Sequence, residues 1–281
     1  MAGRRVLLLG GTGEARRLAA LLDGRPGVEV ISSLAGRTGR AGVPSGRVRV
    51  GGFGGPDALR TWLADEAVDA VVDATHPFAA RITASAAAAA ADAGVPFLLL
   101  RRPGWTAGPG DDWRRVPSLE AAAANLPGER VFLTTGRTGL AAFAADDRRW
   151  FLVRSVDAPA PPAPPRMHVL LDRGPFEVED EIELMRRHAI DVVVTKDSGG
   201  DMTAAKLTAA RRLGLPVVMI DRPPVPDVPT VETVDAAAAW LLRDGRASGG
   251  RASGGRASDG RASGGRARAD GLVEGDQIAQ Q

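Results

Sequence analysis

The sequence predicts an α/β fold with mainly parallel strands. Short β-rich runs alternate with helical patterns along the chain, and several runs, such as AVVDA, FLLL, DVVVT and VVMI, are almost wholly apolar. Apolar strands of this kind are typical of parallel sheets that helices cover on both faces. Strand–helix alternation in turn favours right-handed crossover connections between the strands.

Ten segments are predicted as strands and seven as helices from their patterns. The predicted strands are Val6–Leu9, Val28–Ser33, Arg47–Val50, Ala70–Asp73, Pro96–Leu100, Val131–Thr135, Trp150–Arg154, Met167–Leu171, Asp191–Thr195 and Pro216–Ile220. The predicted helices are Ala15–Leu22, Pro56–Asp65, Ala79–Ala93, Leu119–Asn125, Val178–His188, Thr203–Leu213 and Val234–Arg243.

The number of strands favours two sheets over one. A stretch rich in Gly and Pro, RRPGWTAGPGDDW, separates the first five strands from the second five. We therefore predict a first domain at residues 1–102 and a second domain at residues 103–245. Residues 246–281 carry Arg-Ala-Ser-Gly repeats without apolar periodicity, and we predict that this tail is disordered.

The composition excludes several function classes. The chain has no Cys, which rules out thiolate catalysis, Cys-ligated zinc and iron–sulfur clusters. Its three His, at positions 76, 168 and 188, are scattered, so we predict no metal site. It also has no Tyr, which rules out the short-chain dehydrogenases that need one to shuttle a proton.

Charge and hydropathy indicate a cytoplasmic protein that binds neither nucleic acid nor membrane. Outside the tail the basic and acidic residues balance, at 30 of each. No stretch approaches the 18 uncharged apolar residues of a spanning helix. The apolar run near the N-terminus is too short for a signal peptide.

The first predicted strand runs into a Gly-rich turn that precedes a helix. Such a turn lets the backbone approach a pyrophosphate, and the new helix offers free N–H groups and the positive end of its dipole. The spacing departs from G-x-G-x-x-G, because Arg16 stands where the third Gly belongs. A plain tight turn is the alternative. The predicted phosphate-binding residues are Gly10, Gly11, Thr12, Gly13 and Glu14.

The end of the second predicted strand favours NADP over NAD. An NAD enzyme usually carries an acid there, which binds the ribose 2′-hydroxyl. This chain has Ser33, Arg37 and Thr38 instead, and a guanidinium with hydroxyl groups suits a 2′-phosphate. The alternative is that Arg37 is merely a solvated loop charge.

Three more strand ends carry polar residues that suit a site. The strand Ala70–Asp73 runs into Thr75 and His76, and His76 is a candidate proton donor or else a structural His. Two loops of the second half are rich in hydroxyl groups and cations, which suits an anionic ligand, with helix capping by Thr138 and Thr203 as the alternative. The loop residues concerned, with one on the next helix, are Thr135, Gly136, Arg137, Lys196, Ser198, Gly199, Gly200 and Lys206.

An ordered set of motifs resembles one known family. LLLGGTGEARRLAALL, DATHPFAA, LLRRPGW, VFLTTGR, DRGPF, VVVTKDSGG and TAAKLTAARRLGLPVVMIDRP occur in that order. Together they resemble the precorrin-6A reductase family of cobalamin biosynthesis, over about Arg4 to Leu242. Each motif alone is weak, whereas the ordered set is specific.

The resemblance implies two Rossmann-like domains with a cleft between them. It implies NADPH as hydride donor and precorrin-6A, or its cobalt form, as a polycarboxylate tetrapyrrole substrate that is reduced to precorrin-6B. The residues named above at Gly10–Glu14, Ser33, Arg37 and Thr38 would then hold NADPH. The residues from Thr75 to Lys206 would contact the substrate, with His76, Lys196, Asp197 or water as proton donor.

Two other functions stay open at this point. One is a different NADP-dependent reductase of a small anionic substrate, and the other is a non-catalytic sensor that binds NADP. We expect a monomer or small homo-oligomer, with neighbouring enzymes of the same pathway as candidate partners.

Overall fold

Alternating strands and helices build the structure, a computed structural model that describes residues 3–34 and 44–243. The predicted α/β class is confirmed, and every strand pairing found in these two ranges is parallel. The predicted cofactor residues Arg37 and Thr38 lie outside the described residues, as does the tail at 246–281. The disorder of that tail therefore stays a prediction.

All ten predicted strands are present, with ends shifted by at most two residues. The strands are β1 (Arg4–Leu9), β2 (Val28–Leu34), β3 (Arg47–Val50), β4 (Ala70–Asp73), β5 (Phe97–Leu100), β6 (Trp113–Val116), β7 (Arg130–Leu133), β8 (Trp150–Ser155), β9 (Met167–Leu171), β10 (Val192–Lys196), β11 (Val217–Ile220) and β12 (Thr230–Val231). The short strands β6 and β12 were not predicted.

The seven predicted helices are also present. They are α1 (Gly13–Leu22), α2 (Pro56–Asp65), α3 (Ala80–Asp92), α4 (Leu119–Ala124), α5 (Val178–Arg187), α6 (Ala205–Leu213) and α7 (Val234–Arg243). Two 3₁₀ segments, Arg137–Phe143 and Asp201–Thr203, follow β7 and β10. No helix in residues 3–34 and 44–243 combines the length and the apolar character needed to span a bilayer.

The first sheet has the strand order β12-β5-β4-β1-β2-β3. The order β3-β2-β1-β4-β5 within it is that of a dinucleotide-binding half. Strands β2 and β3 are added on one side of β1, and β4 and β5 on the other, so the order of the strands reverses between β1 and β4. Leu9 at the end of β1 is in register with Ser33 of β2 and Asp73 of β4. The loops after these three strands therefore begin at the same edge.

The second sheet repeats this plan in the order β6-β11-β10-β7-β8-β9. If β7 to β11 are renumbered 1 to 5 in chain order, they lie side by side in the order 3-2-1-4-5, as in the first sheet. The reversal of strand order falls between β7 and β10. The loops after these two strands carry the sequences TTGRTG and KDSGG. In open α/β sheets ligands bind outside the carboxyl ends at such a reversal.

The end of the chain returns to the first sheet. Thr230 and Val231 of β12 pair with Leu99 and Leu100 of β5. Helix α7 packs against the same core cluster as α1. Sheet membership therefore does not follow the predicted division at residues 102–103 throughout, and that division stays a prediction.

Each sheet is covered on both faces, as its apolar strands require. In β1, Val6 and Leu8 point into the core under α1 and α7, whereas Leu7 and Leu9 point into the core under α2 and α3. The second sheet is covered by α4 with the first 3₁₀ segment on one face and by α5 and α6 on the other. Burial of both faces explains why the central strands lack alternation, whereas the edge strand β3 alternates in its sequence RVRV and has no buried residue.

Candidate active site

The loops at the carboxyl ends of both sheets line one cavity of about 1270 Å³. Its wall includes the turn after β1, the loop after β4, and the loops after β7, β8 and β10. The volume exceeds the usual 300–1,000 Å³ of a small-molecule site. The cavity therefore has room for two ligands, with one sheet edge on each side.

The Gly-rich turn is held by its Thr side chain. The Thr12 hydroxyl accepts a hydrogen bond from the Ala15 N–H at 3.1 Å, which caps α1, and donates to the Ala74 carbonyl at 2.7 Å. It thereby ties the turn to the loop after β4. Because this hydroxyl is already engaged, a phosphate at the turn would be bound by backbone N–H groups rather than by Thr12 Oγ1.

Gly11 leaves the backbone of this turn open. Its φ of +114° lies in the region that favours glycine, and a Cβ built on it would meet no atom within 4 Å. Gly11 also lines the cavity. A phosphate group could thus approach the turn without steric hindrance from a side chain.

Glu14 pairs with an arginine that the sequence did not indicate. Its Oε2 lies 2.8 Å from Nη1 of Arg102, and Arg102 Nε donates to the Ser198 carbonyl at 2.7 Å. Burial would raise the pKa of Glu14, but a backbone hydrogen bond and the charge of Arg102 outweigh it and lower the pKa. The ionised Glu14 therefore orients Arg102, which joins the turn after β1 to the loop after β10.

The loop after β10 is anchored to the segment that leads from the first sheet to the second. The Asp197 carboxylate accepts hydrogen bonds from the Trp105 N–H and from Arg115 Nη2, both at 2.9 Å. Arg222 donates to the carbonyls of Asp197 and Pro103 at 2.8 and 2.9 Å. Asp197, which the sequence left open as a proton donor, thus has an evident anchoring role.

The loop after β4 reaches the second sheet through Phe78. This ring packs on the core cluster of β7, β8 and β10 and lies 5.5 Å from the Lys196 ammonium. The backbone N–H of Phe78 donates a hydrogen bond to His76 Nδ1 at 3.2 Å. His76 is thereby placed at the cavity wall with Nδ1 as acceptor, which puts the proton of the neutral ring on Nε2.

His76 is neutral at pH 7 in this environment. Burial in the wall, with the charges of Arg102, Lys196 and Arg222, lowers its pKa to about 4. His76 is nevertheless an exposed residue by its accessible surface, and it lines the cavity. A bound anion would offset the nearby positive charges and raise this pKa.

Three cations stand on the second-sheet side of the cavity. Lys196 Nζ donates to the Thr135 carbonyl at 2.9 Å, and burial lowers the pKa of Lys196. Burial also lowers the pKa of Lys206, to about 7. Arg154 of β8, which sequence reasoning missed, forms an ion pair with Glu181 of α5 at 2.6 Å.

The structure brings most of the predicted site residues to this cavity. Ser33, Thr75 and Arg137 do not line it; Thr75 donates its N–H to Asp73, and Arg137 lies 3.7 Å from Asp157. The roles of all these residues stay predictions. The predicted residues in the wall are Gly10, Gly11, Thr12, Gly13, Glu14, His76, Thr135, Gly136, Lys196, Ser198, Gly199, Gly200 and Lys206.

Comparisons with known proteins agree with this architecture. The chain is 55% identical to precorrin-6A reductase of Rhodococcus erythropolis over 242 residues, which cover 84% of this chain and 97% of that protein. It is 30% identical to cobalt-precorrin-6A reductase of Priestia megaterium, with 78% of this chain and 91% of that protein covered. A solved structure, CobK precorrin-6A reductase, superposes with a TM-score of 0.80 at 46% identity, covering 86% of this chain and 97% of the other.

Residues 5–242 match the family described as precorrin-6x reductase CbiJ/CobK, which is nearly the whole described part of the chain. The range spans both sheets and every loop of the cavity. From the match over this range and the identity of the relatives, the chain belongs to the precorrin-6x reductase family CbiJ/CobK.

Proposed function

We propose that this enzyme reduces the macrocycle of precorrin-6A to precorrin-6B, with a hydride that NADPH supplies. The observation that carries the proposal is one cavity shared by the reversal points of two dinucleotide-type sheets. The first sheet offers the Gly-rich turn for a pyrophosphate, and the second offers cations for a polycarboxylate. The pairing of the two ligands across one cavity fits a hydride transfer.

The charge of the wall supports two anionic ligands. Seven cationic side chains line the cavity against three acidic ones, so its field favours phosphates and carboxylates. The cations are Arg16, Arg17, Arg102, Arg154, Arg173, Lys196 and Lys206, and the acids are Glu14, Asp172 and Asp201.

Lys196 is the stronger of the two candidate proton donors. A general acid works best when its pKa lies near the operating pH. At pH 7 the neutral His76 ring has only its Nε2 proton to give, whereas burial lowers the pKa of Lys196 and so eases release of a proton from its ammonium group. We therefore assign proton delivery to Lys196 Nζ and place His76 in the wall as a neutral hydrogen-bond donor through Nε2.

The metal-free substrate is the better match. The relatives named precorrin-6A reductase are 45–55% identical to this chain, and those named cobalt-precorrin-6A reductase are 28–32% identical. We propose that precorrin-6A itself is the substrate. Parallel assays with the metal-free and the cobalt form test this choice.

NADPH absorbance in the presence of precorrin-6A tests the function. We expect oxidation with the tetrapyrrole and none with a panel of small carbonyl compounds. Oxidation with a small carbonyl compound alone would instead identify another NADP-dependent reductase. No oxidation with any of them, despite NADPH binding, would identify a sensor.

The Arg37→Ala variant tests the choice of NADPH over NADH. We expect the affinity for NADPH to fall by about 10–150-fold, because one charge-assisted hydrogen bond is worth about 1.5–3 kcal/mol. Affinity for NADH, which has no 2′-phosphate, should change little. Titration of each cofactor measures both values, and equal small losses would contradict the assignment of Arg37.

A further inference from the structure

Two cations and one carboxylate are buried together behind the second-sheet wall. Arg154 on β8, Glu181 on α5 and Lys206 on α6 are 8%, 1% and 5% exposed. Arg154 and Lys206 also line the cavity, whereas Glu181 stands behind them. We call these three residues the buried cation cluster; with both cations charged, it has one positive charge in excess.

The pairing inside the buried cation cluster is incomplete. Arg154 Nη1 and Glu181 Oε1 form the ion pair, but Arg154 Nε and Glu181 Oε2 are buried without a hydrogen-bond partner. Lys206 Nζ donates to the Thr203 carbonyl, and no carboxylate among the described residues forms an ion pair with it. Buried polar groups are normally satisfied, so the unpaired Arg154 Nε–H calls for a hydrogen-bond acceptor from a ligand, whereas Glu181 Oε2, itself an acceptor, does not.

Aromatic faces hold both cations in place without neutralising them. The Arg154 guanidinium lies 3.9 Å from the ring centre of Phe176, and Lys206 Nζ lies 4.8 Å from that of Trp105. Phe176 and Trp105 line the cavity too. The wall thus sets two fixed cations beside flat apolar surfaces, which suits an acidic side chain attached to a planar ring.

We propose that Arg154 and Lys206 together bind one carboxylate of the tetrapyrrole substrate, and that Glu181 acts as a positioning residue that holds Arg154 for this contact. The proposal rests on the proposed function. A bound carboxylate supplies the missing negative charge and hydrogen-bond acceptors. The phosphates of NADPH are less suited to this place, because the Gly-rich turn belongs to the other sheet.

The charge state of Lys206 supports this arrangement. Burial lowers its pKa to about 7, with Arg154 acting in the same direction and Glu181 against it. Asp172 is a further charge that acts on Glu181. Because a carboxylate raises the pKa of a neighbouring ammonium, substrate binding above pH 7 should take up a proton.

The Lys206→Met variant tests the proposal, since Met keeps an unbranched stem without the charge. We expect the KM for precorrin-6A to rise by about 10–150-fold, the loss of one charge-assisted hydrogen bond. The dissociation constant for NADPH should stay within about two-fold, because the Gly-rich turn is untouched. The matched control is Arg212→Met, an exposed cation on the same helix, which should leave both constants unchanged.

Stability separates a binding role from a structural one. A Lys pKa lowered on folding penalises the folded state most fully at and below about pH 7, and the penalty fades as pH rises toward about 10. Lys206→Met should therefore melt at or above the wild-type temperature at pH 7, with a smaller gain near pH 10. A lower melting temperature at pH 7 together with an unchanged KM would overturn the proposal.

Two further results keep the proposal falsifiable. Arg154→Lys preserves the charge and loses the planar fork, so its KM should lie between those of wild type and Lys206→Met; this variant replaces Lys206→Met if that protein does not fold. Wild type that fails to oxidise NADPH with precorrin-6A would refute the proposed function. If the wild type turns over normally and the Lys206→Met variant keeps the wild-type KM for precorrin-6A, only the carboxylate contact would be refuted.

Discussion

Replacing Gly11 with Val will raise the dissociation constant for NADPH by about 1000-fold. The new side chain would stand on the open turn where the pyrophosphate approaches, since the Cβ position meets no protein atom within 4 Å. Steric overlap of the Val side chain with the bound pyrophosphate would cost about 1–3 kcal/mol, by analogy with overpacking in a protein core. The charge-assisted hydrogen bonds that the phosphate would lose cost about 1.5–3 kcal/mol. A total of about 4 kcal/mol corresponds to three powers of ten in affinity.

The control for backbone strain is Gly24→Val. Gly24 has a φ of +70°, and a Cβ there also meets no atom within 4 Å, but it lies outside the cavity wall. Both variants should lose about 1–3 kcal/mol of unfolding free energy from strain. Only Gly11→Val should lose NADPH affinity in a fluorescence titration, so tight NADPH binding by that variant would refute a phosphate site at the turn.

The Gly199→Ala variant will lose about 2–6 kcal/mol of unfolding free energy, together with turnover. A Cβ on Gly199 would lie 2.1 Å from the Pro103 carbonyl oxygen and 2.5 Å from Nη2 of Arg222. The φ of +65° adds backbone strain. We obtain the range from about 1–3 kcal/mol each for overpacking and strain. The clash would displace the segment that anchors the loop after β10.

Gly214→Ala is the matched comparison for Gly199→Ala. Gly214 has a nearly equal φ of +67° but no atom within 4 Å of its Cβ position. We expect it to cost about 1 kcal/mol in urea unfolding and to leave turnover intact. If the two variants lost the same free energy, the close approach to Pro103 would carry no energetic weight.

Local patterning determines most of the fold of this chain. The apolar runs identified the central strands because burial of both faces leaves no place for polar residues there. Strand β6 escaped this test because its WRRV sequence exposes Arg114 and Arg115. Strand β12 was not predicted because its two residues, Thr230 and Val231, are too few to form a pattern. Its pairing with β5 depends on contacts between residues far apart in the chain.

The candidate site likewise contains residues that the sequence predicted and residues that only the structure revealed. Residues at or just beyond the carboxyl end of a strand, such as Lys196 and His76, were identified because parallel strands end at one edge. Arg154 was missed because it lies within an otherwise apolar strand, where the pattern indicates only burial. Arg102 was missed because its partners Glu14 and Ser198 come from opposite sheets.

By itself the sequence determined the fold class, the Gly-rich turn and the family resemblance, because these depend on neighbouring residues and their order. Only the tertiary structure decided which hydrogen-bonding and charged groups are already engaged by other residues and which remain available to a ligand. The Thr12 hydroxyl is engaged by Ala74, Arg137 lies beside Asp157, and Glu181 faces Arg154. Hydrogen bonds and ion pairs act over a few ångströms in space, so distant residues decide them.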